Sequence, residues 1–436
     1  MAAGSHPTQG ATLEFRAESA LGTGTGTLSP VRPIEAVTIP SAHRTLVAQE
    51  NTGNRHAFRN DDKPLRLQQW FDGGLSFGQY IRAASGAAGT QAPLADCFKS
   101  GGCQVATTSG NTTVTGTPAV DTVELTADYG AVGQAVLLQQ DDGTWVPIIA
   151  ASYGSSIITP LFDLAAAPST GNVVVEMNNI MPYSRPVPAA ATLEFMHATR
   201  GVYSGTEDLK WTMNGCAMSE PGELTLKYGE IPSLVSTYHV GKSVPGDGVA
   251  IADEGSYRGI ATPAITNDNF EANFSLGTTS TSGGVTRALR SFKEIVVNFG
   301  FKTNGIVCAG GGSYAGLEPT NGYIQTAVKP SITVTGLWDK EFLDKLDGTD
   351  SDSTAIQLAQ KRSAVITETA WILAAPNCHL SADGPMEVQL AGDDVVLAKL
   401  KFEMTCADLS SETNNSEWGA APWVFAISSN NTTAGA

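Results

Sequence analysis

The segments CAMSEPGELTLKY at 216–228 and CHLSADGPMEVQL at 378–390 align without a gap, and this internal repeat constrains the fold more than any other feature of the chain. Cys216 falls on Cys378, Ser219 on Ser381, Gly222 on Gly384, Leu224 on Met386 and Leu226 on Val388. After the glycine the apolar residues recur at every second position, the spacing of a strand with one buried face. Each copy then passes through an acidic turn into a second apolar run, GEIPSLVSTYHVG in the first and AGDDVVLAKLKFEM in the second, which predicts a hairpin in both places. A chain that builds the same hairpin twice is read as two related units.

The surroundings repeat as well. In the second half GLWDKEFLDKLDG places Trp338, Phe342, Leu343 and Leu346 on one face at helical spacing, with Gly348 as a stop. This predicts a short helix over 338–347, with Trp338, Phe342 and Leu346 as a candidate packing or interface stripe. In the first half PLADCFKSGG opens on Pro93, groups Leu94, Cys97 and Phe98, and ends at Gly101. A strand is predicted before each helix, PLRLQQWF in one half and PSITVTGLW in the other. Between the first helix and its hairpin lies an insertion, 104–187, which starts with the Thr/Gly-rich TTSGNTTVTGTPAV and closes with PYSRPVPAA. Inside it the alternating runs TVELTA, QAVLLQQ, TWVPIIAASY, SSIITPL and NVVVEM are separated by turn signals such as DDGT and PSTGN. That is the spacing of a small antiparallel barrel or sandwich with its own core, outside the shared order of elements. The predicted layout is a flexible N-terminal arm (1–30), a first unit (31–103 and 188–245), the inserted β domain (104–187), a linker (246–284), a second unit (285–405) and a C-terminal arm (406–436).

Composition narrows the function classes. With Gly 46 and only 16% charged residues in 436, the chain favours strands and turns over long helices. No apolar run approaches membrane-spanning length. The start MAAGSHPTQGATLEF lacks the basic stretch and apolar core of a secretory signal, so the product is expected to stay in the cytoplasm where it is made unless a larger particle carries it out. Six cysteines are too few for a disulfide scaffold; Cys97 and Cys103 read as two unpaired thiols, and Cys216 and Cys378 as matching buried positions. GGGSYAG around Ser313 has Ala315 where a nucleophile elbow needs its last glycine, and GTGTGT at 22–27 leads into Pro30 and Pro33 in place of a helix. No nucleophile, base and oxyanion site assembles, so the chain reads as a non-enzyme with no catalytic, cofactor or metal residues. A net charge of −17 argues against wrapping nucleic acid, which needs a basic face, while an acidic wall would let DNA slide past.

The doubled order of strand, helix, strand and hairpin, with one β insertion, resembles the major tail tube proteins of long-tailed (siphovirus-type) bacteriophages, and among them the subset with two tandem tube domains per chain. The resemblance rests on 31–103 plus 188–245 and on 285–405. It implies a mainly β fold of two tandem tail-tube-like β-sandwich/barrel units, each with a short flanking α-helix, plus an inserted small β domain. It implies a structural virion protein without cofactors, made in the host cytoplasm and located in the virion tail. Three chains would close a ring of pseudo-sixfold symmetry, with a homohexamer as the alternative. Such rings would stack into a tube, contact other tail proteins and let viral DNA pass through the lumen without specific binding during ejection. The polar positions of the repeated hairpins, Glu223, Thr225 and Lys227 in the first copy and Glu387 and Gln389 in the second, become candidates to face that lumen, with a carboxylate expected near Lys227. The alternative reading is another virion decoration or a carbohydrate-binding β protein.

Overall fold

The structure is a computed structural model that describes residues 11–20, 23–24, 29–31, 46–48, 66–68, 73–83, 92–107, 111–127, 132–182, 191–197, 208–240, 242–248, 262–276, 289–307, 320–327, 329–338, 343, 353–363, 368–382, 386–391, 395–405 and 421–428. It is mainly β, with antiparallel ladders throughout. The chain opens with β1 (Ala11–Ala20), β2 (Thr23–Gly24), β3 (Ser29–Val31), β4 (Leu46–Ala48), β5 (Arg66–Gln68) and β6 (Gly73–Tyr80). Helix α1 (Pro93–Ser100) and β7 (Gln104–Thr107) follow. Next come β8 (Thr112–Thr115), β9 (Val123–Leu125), β10 (Ala135–Gln139), β11 (Trp145–Gly154), β12 (Ile157–Pro160) and β13 (Val173–Met181). The first repeat continues with β14 (Ala191–His197), β15 (Asp208–Glu220), β16 (Glu223–Lys227), β17 (Ser233–Val240) and β18 (Lys242–Gly248). The second runs through β19 (Phe270–Leu276), β20 (Leu289–Asn298), β21 (Phe301–Val307), β22 (Thr320–Ala327), β23 (Ser331–Trp338), β24 (Thr354–Gln360), β25 (Trp371–Leu380), β26 (Met386–Ala391) and β27 (Val395–Met404), and the chain returns in β28 (Val424–Ser428).

The repeat persists at the level of single hydrogen-bonded positions. Cys216 on β15 stands opposite Ala191 on β14, and the register slips immediately beyond that pair. Cys378 on β25 stands opposite Thr354 on β24, and the register slips there too. Both thiols are fully buried, and each donates to the carbonyl three residues before it, Met213 at 3.5 Å and Ala375 at 3.6 Å. Farther along, Met218 faces Tyr238 while Leu380 faces Phe402, so β17 and β27 occupy the same place. On the far side β1 pairs with β14 as β19 pairs with β24.

That equivalence corrects the predicted boundaries. Residues 11–20 belong to a sheet, with Leu13 and Phe15 in the core, so this stretch is no flexible arm. The predicted linker holds β19, whose Phe274 is fully buried, so the second unit starts earlier than 285. At the other end Trp423 and Phe425 are sealed inside the protein, and β28 lies between β13 and β25. The wall strand of the first unit is β6 and not the predicted PLRLQQWF, whose described residues Arg66–Gln68 pair with β4.

One hydrophobic core runs through both repeats, from Leu13 and Phe77 to Phe402 and Ile427. Helix α1 plugs it at the junction: Phe98 meets Phe299, Trp423 and Phe425 edge-on or tilted, at centroid distances of 5.1, 6.2 and 6.2 Å. The helix begins with Pro93 at its first turn, where the missing N–H costs nothing, and carries Asp96 early and Lys99 late, in accord with its dipole. In the second unit Leu343 is helical and packs on the core. Trp338, however, ends strand β23, with its indole N–H donating to the Ala398 carbonyl at 3.1 Å and its ring against Phe274 and Phe402. The strand ladder to β20 holds Trp338 extended, so it is not the first residue of a helical stripe; Phe342 and Leu346 lie outside the described residues.

The insertion is a closed antiparallel barrel. Pairings run β13–β8–β9–β12–β11–β10 and back to β13. Val114, Val123, Leu125, Val136, Leu138, Ile148, Ile158 and Val174 fill its interior. Strand β8 arises within the Thr/Gly-rich stretch that reads as a joint. A second core cluster glues the barrel's outside to the second unit: Leu137, Ile149 and Phe162 pack with Ala355, Ile372, Val424 and Ala426. Strand β13 belongs to both bodies, since Val173–Glu176 pairs within the barrel and Met177–Met181 pairs with β28 and β7. The guest is therefore built into its host.

Candidate functional site

Seven strands form one continuous antiparallel sheet in the order β6–β17–β16–β20–β23–β27–β26. The first three come from the first repeat and the last four from the second. Their alternation is clean: Leu75, Phe77, Leu224, Leu226, Leu234, Ile295, Val297, Ile332, Val334, Leu400 and Phe402 point into the core. The intervening side chains make the opposite face, which is mostly polar, with Ser76, Ser233, Thr225, Asn298, Ser331 and Thr333 across its width and Val235, Val296 and Leu337 as its apolar members. Gly222 permits the tight approach of β16 to β17, because a Cβ there would lie 1.9 Å from the Val235 carbonyl oxygen.

Of the residues singled out in the sequence, Glu223, Thr225 and Lys227 all stand on this face, in strand β16. Glu387 is exposed on β26, and Gln389 occupies the position two residues along the same strand. The expected carboxylate beside Lys227 is Glu294, its register partner on β20, at 3.1 Å. Hydrogen bonding to Glu294 and the charges of Glu294 and Glu230 hold the Lys227 ammonium above its ordinary value. Glu387 has its own cross-strand partner, Lys399, at 3.4 Å. Glu403 accepts from Lys329 at 3.1 Å and from the Ser381 hydroxyl at 2.9 Å, which holds its carboxyl below the usual range, the Ser381 bond being the larger cause.

Among the described residues the strands thus present Glu223, Glu294, Glu387 and Glu403 against Lys227, Lys399 and Lys401, with Lys293 exposed where β20 slips register. Among the described residues the face is close to neutral, and Lys227–Glu294, Lys399–Glu387 and Lys329–Glu403 tie most of its charges in pairs. The residues that neutralise it, Glu294 and Lys399, were not singled out from the sequence. The alternation of KEIVVNFG at 293–300 and VLAKLKFEM at 396–404 carries that signal, but only the strand pairing says which charges meet.

Chemistry is sparse. Among the described residues no group of three or more His, Cys, Asp or Glu is placed to hold a metal ion, and no helix is long and apolar enough to cross a membrane. His239 Nε2 lies 2.8 Å from the Thr303 carbonyl oxygen, a structural contact. Cys97 is free and buried, its thiol pushed up to about 12 chiefly by burial; Cys103 is likewise buried, free and raised. No family model matches this chain, and no curated protein does.

Among the described residues the seven-stranded sheet ends in β6 on one side and β26 on the other. Strand β26 pairs only with β27, and β6 only with β17, among the described residues. Between them sits the joint β16–β20, where the hairpin of the first repeat adds edge-on to a strand of the second, with five register pairs from Glu223↔Asn298 to Lys227↔Glu294. In the second repeat β26 is the counterpart of β16, and its outer edge is the one left without a described neighbour.

Proposed function

We propose that this chain is a structural virion subunit that closes into rings, and that the rings stack into a tail tube through which phage DNA is ejected. The observation that carries the reading is the β16–β20 joint. It is an edge-to-edge contact between two copies of one unit, and β26 offers the same edge to the next chain. Exposed edges of a long sheet invite pairing, and closing the sheet into a ring removes them. Three chains bring about two dozen strands to such a ring, a number that leaves an open or plugged lumen. The polar face then becomes the inner wall, with Glu223, Thr225, Lys227, Glu387 and Gln389 toward the channel. Its paired charges suit a conduit: they offer a passing phosphate backbone neither a basic track nor strong repulsion.

The test is electron microscopy of the purified protein together with its solution mass. The expected particle is a ring of three chains or a stack of such rings, each contact burying more than roughly 2,000 Å². Six whole chains per ring would reject the role given to the internal joint; a monomer that never assembles would reject the tube. Assembled tubes should also leave duplex DNA unbound at physiological salt, and retention of DNA would overturn the conduit reading.

A further inference from the structure

A second surface, away from the polar wall, has the makings of a ligand site. Where the barrel meets the second repeat there is a cleft of about 260 Å³. Its sides are the β10–β11 turn, the stretch Phe162–Ala167 after β12, and the outward face of β19 and β24. Four carboxylates surround it, yet most are committed. Asp141 accepts from the Ser169 backbone N–H at 3.0 Å, the Ser169 hydroxyl at 2.6 Å and Asn172 Nδ2 at 2.7 Å, which keeps its carboxyl below the usual range. Asp142 closes its own turn onto Thr144, and Glu271 is tied to Lys361.

What remains uncommitted is a set of carboxamides. Gln357 is 6% exposed, lines the cleft and makes no side-chain hydrogen bond among the described residues. Asn273, its register partner across β19 and β24, also lines the cleft without a side-chain partner. From the barrel side Gln140 contributes a buried Nε2 that has no acceptor. Buried amides are nearly always satisfied, so the Gln140 Nε2, sealed from solvent without an acceptor, stands out, and Gln357 and Asn273 present their amides to the same cleft. Alongside them Pro147, Ile148, Phe162 and Leu164 supply an apolar wall.

The donor set selects the ligand. Among the described residues that line the cleft an anion finds no free cation, since Lys361 is held by Glu271. A cation finds only the exposed Asp163 carboxylate uncommitted. A carboxamide both donates and accepts, as a hydroxyl does, and several side by side match adjacent hydroxyls on one ring while the apolar wall takes its C–H face. The volume falls below the roughly 300–1,000 Å³ of drug-sized pockets and admits one ring, not a chain.

We propose that this cleft binds a single neutral sugar ring, held by Gln357, Asn273 and Gln140. The site rests on the junction of barrel and second repeat alone, so it stands or falls separately from the ring-forming role. Saturation-transfer NMR and calorimetry on the full chain, with glucose, galactose, mannose and N-acetylglucosamine as probes, test it. At least one should bind saturably with Kd on the order of 1 mM, and Gln357→Ala should weaken it about tenfold. Asn273→Ala, at a less buried position, should do the same and serves if the first variant fails to fold, as read by thermal unfolding. No saturable binding of any of the four, or binding unchanged in the folded variants, overturns the proposal. So does a cleft that takes spermidine in their place.

Discussion

The two hairpins at the heart of this chain share a register but not a neighbourhood. In the first, β16 is covered on its outer edge by β20, and β15 lies between β14 and β18. In the second, β26 has no described outer partner, and β25 lies between β24 and β28, with the barrel strand β13 beyond. One duplicated element thus serves as an internal joint in one place and as an open edge in the other. The lesson is that repeat units diverge first in what they touch, while the positions that set their own geometry persist. The buried cysteine beside a register slip is such a position, and so is the aromatic ring opposite Met218 or Leu380.

Removing the barrel should separate the two copies most. Deletion of 112–181 strips β28 and β7 of their β13 partner and uncovers Ala355, Ile372, Ala374, Val424 and Ala426. Hydrogen exchange on the truncated chain should show β24, β25 and β28 losing protection while β14 to β17 keep more of theirs. A deletion protein that unfolds cooperatively with the parent's stability would show that the barrel is only appended.

A smaller effect sharpens the comparison at its matched aromatic. Tyr238 and Phe402 hold equivalent places, both wholly buried, but the Tyr238 hydroxyl lies beside the Cys97 thiol without a hydrogen bond of normal geometry. Tyr238→Phe should therefore leave stability unchanged or raise it. Phe402→Tyr introduces a buried hydroxyl among Phe274, Trp338 and Met404 and should cost about 1–3 kcal/mol. Denaturant midpoints of the two variants decide the matter, and equal losses in both would break the equivalence.

How far the sequence discloses this molecule depends on what carries the information. The hairpins were legible because their alternation is local and their glycine and cysteine recur. Strand β6 was not, because Gly73, Gly74 and Gly78 look like a loop until β17 supplies the partner. Strand β1 carries Leu13 and Phe15 at alternate positions, yet its fate depends on β14, far along the chain. Trp338 satisfies helical and extended spacing alike, and the ladder with β20 decides it. Of the polar face, Glu223, Thr225, Lys227, Glu387 and Gln389 could be placed on one side of a strand from alternation alone. That the face would be almost neutral could not, since it follows from Glu294 and Lys399 arriving by pairing.

The smallest expected difference is one of pH. The hydrogen bond from Ser381 and the contact with Lys329 lower the folded-state pKa of Glu403, so its contribution is present above the ordinary carboxylate range and is lost as pH falls through the folded value. At the matching position of the first copy stands His239, bonded to a backbone carbonyl. Acid should loosen the second copy before the first, by no more than about 1 kcal/mol at so partly exposed a pair. Glu403→Gln should remove the difference, and NMR of the two hairpins during an acid titration would read it; simultaneous loosening in the variant and the parent would count against it.

Strand β13 has a mechanical consequence. Because one uninterrupted strand leaves the barrel and enters the sheet between β28 and β7, there is no swivel between the two bodies. A pull on the barrel along that strand loads the ladders from Met177 to Met181 on both flanks together, in shear, where many backbone bonds must give way at once. A tug on the barrel would thus be delivered undiminished to the sheet it joins, and the barrel would act as a rigid handle in place of a dangling ornament.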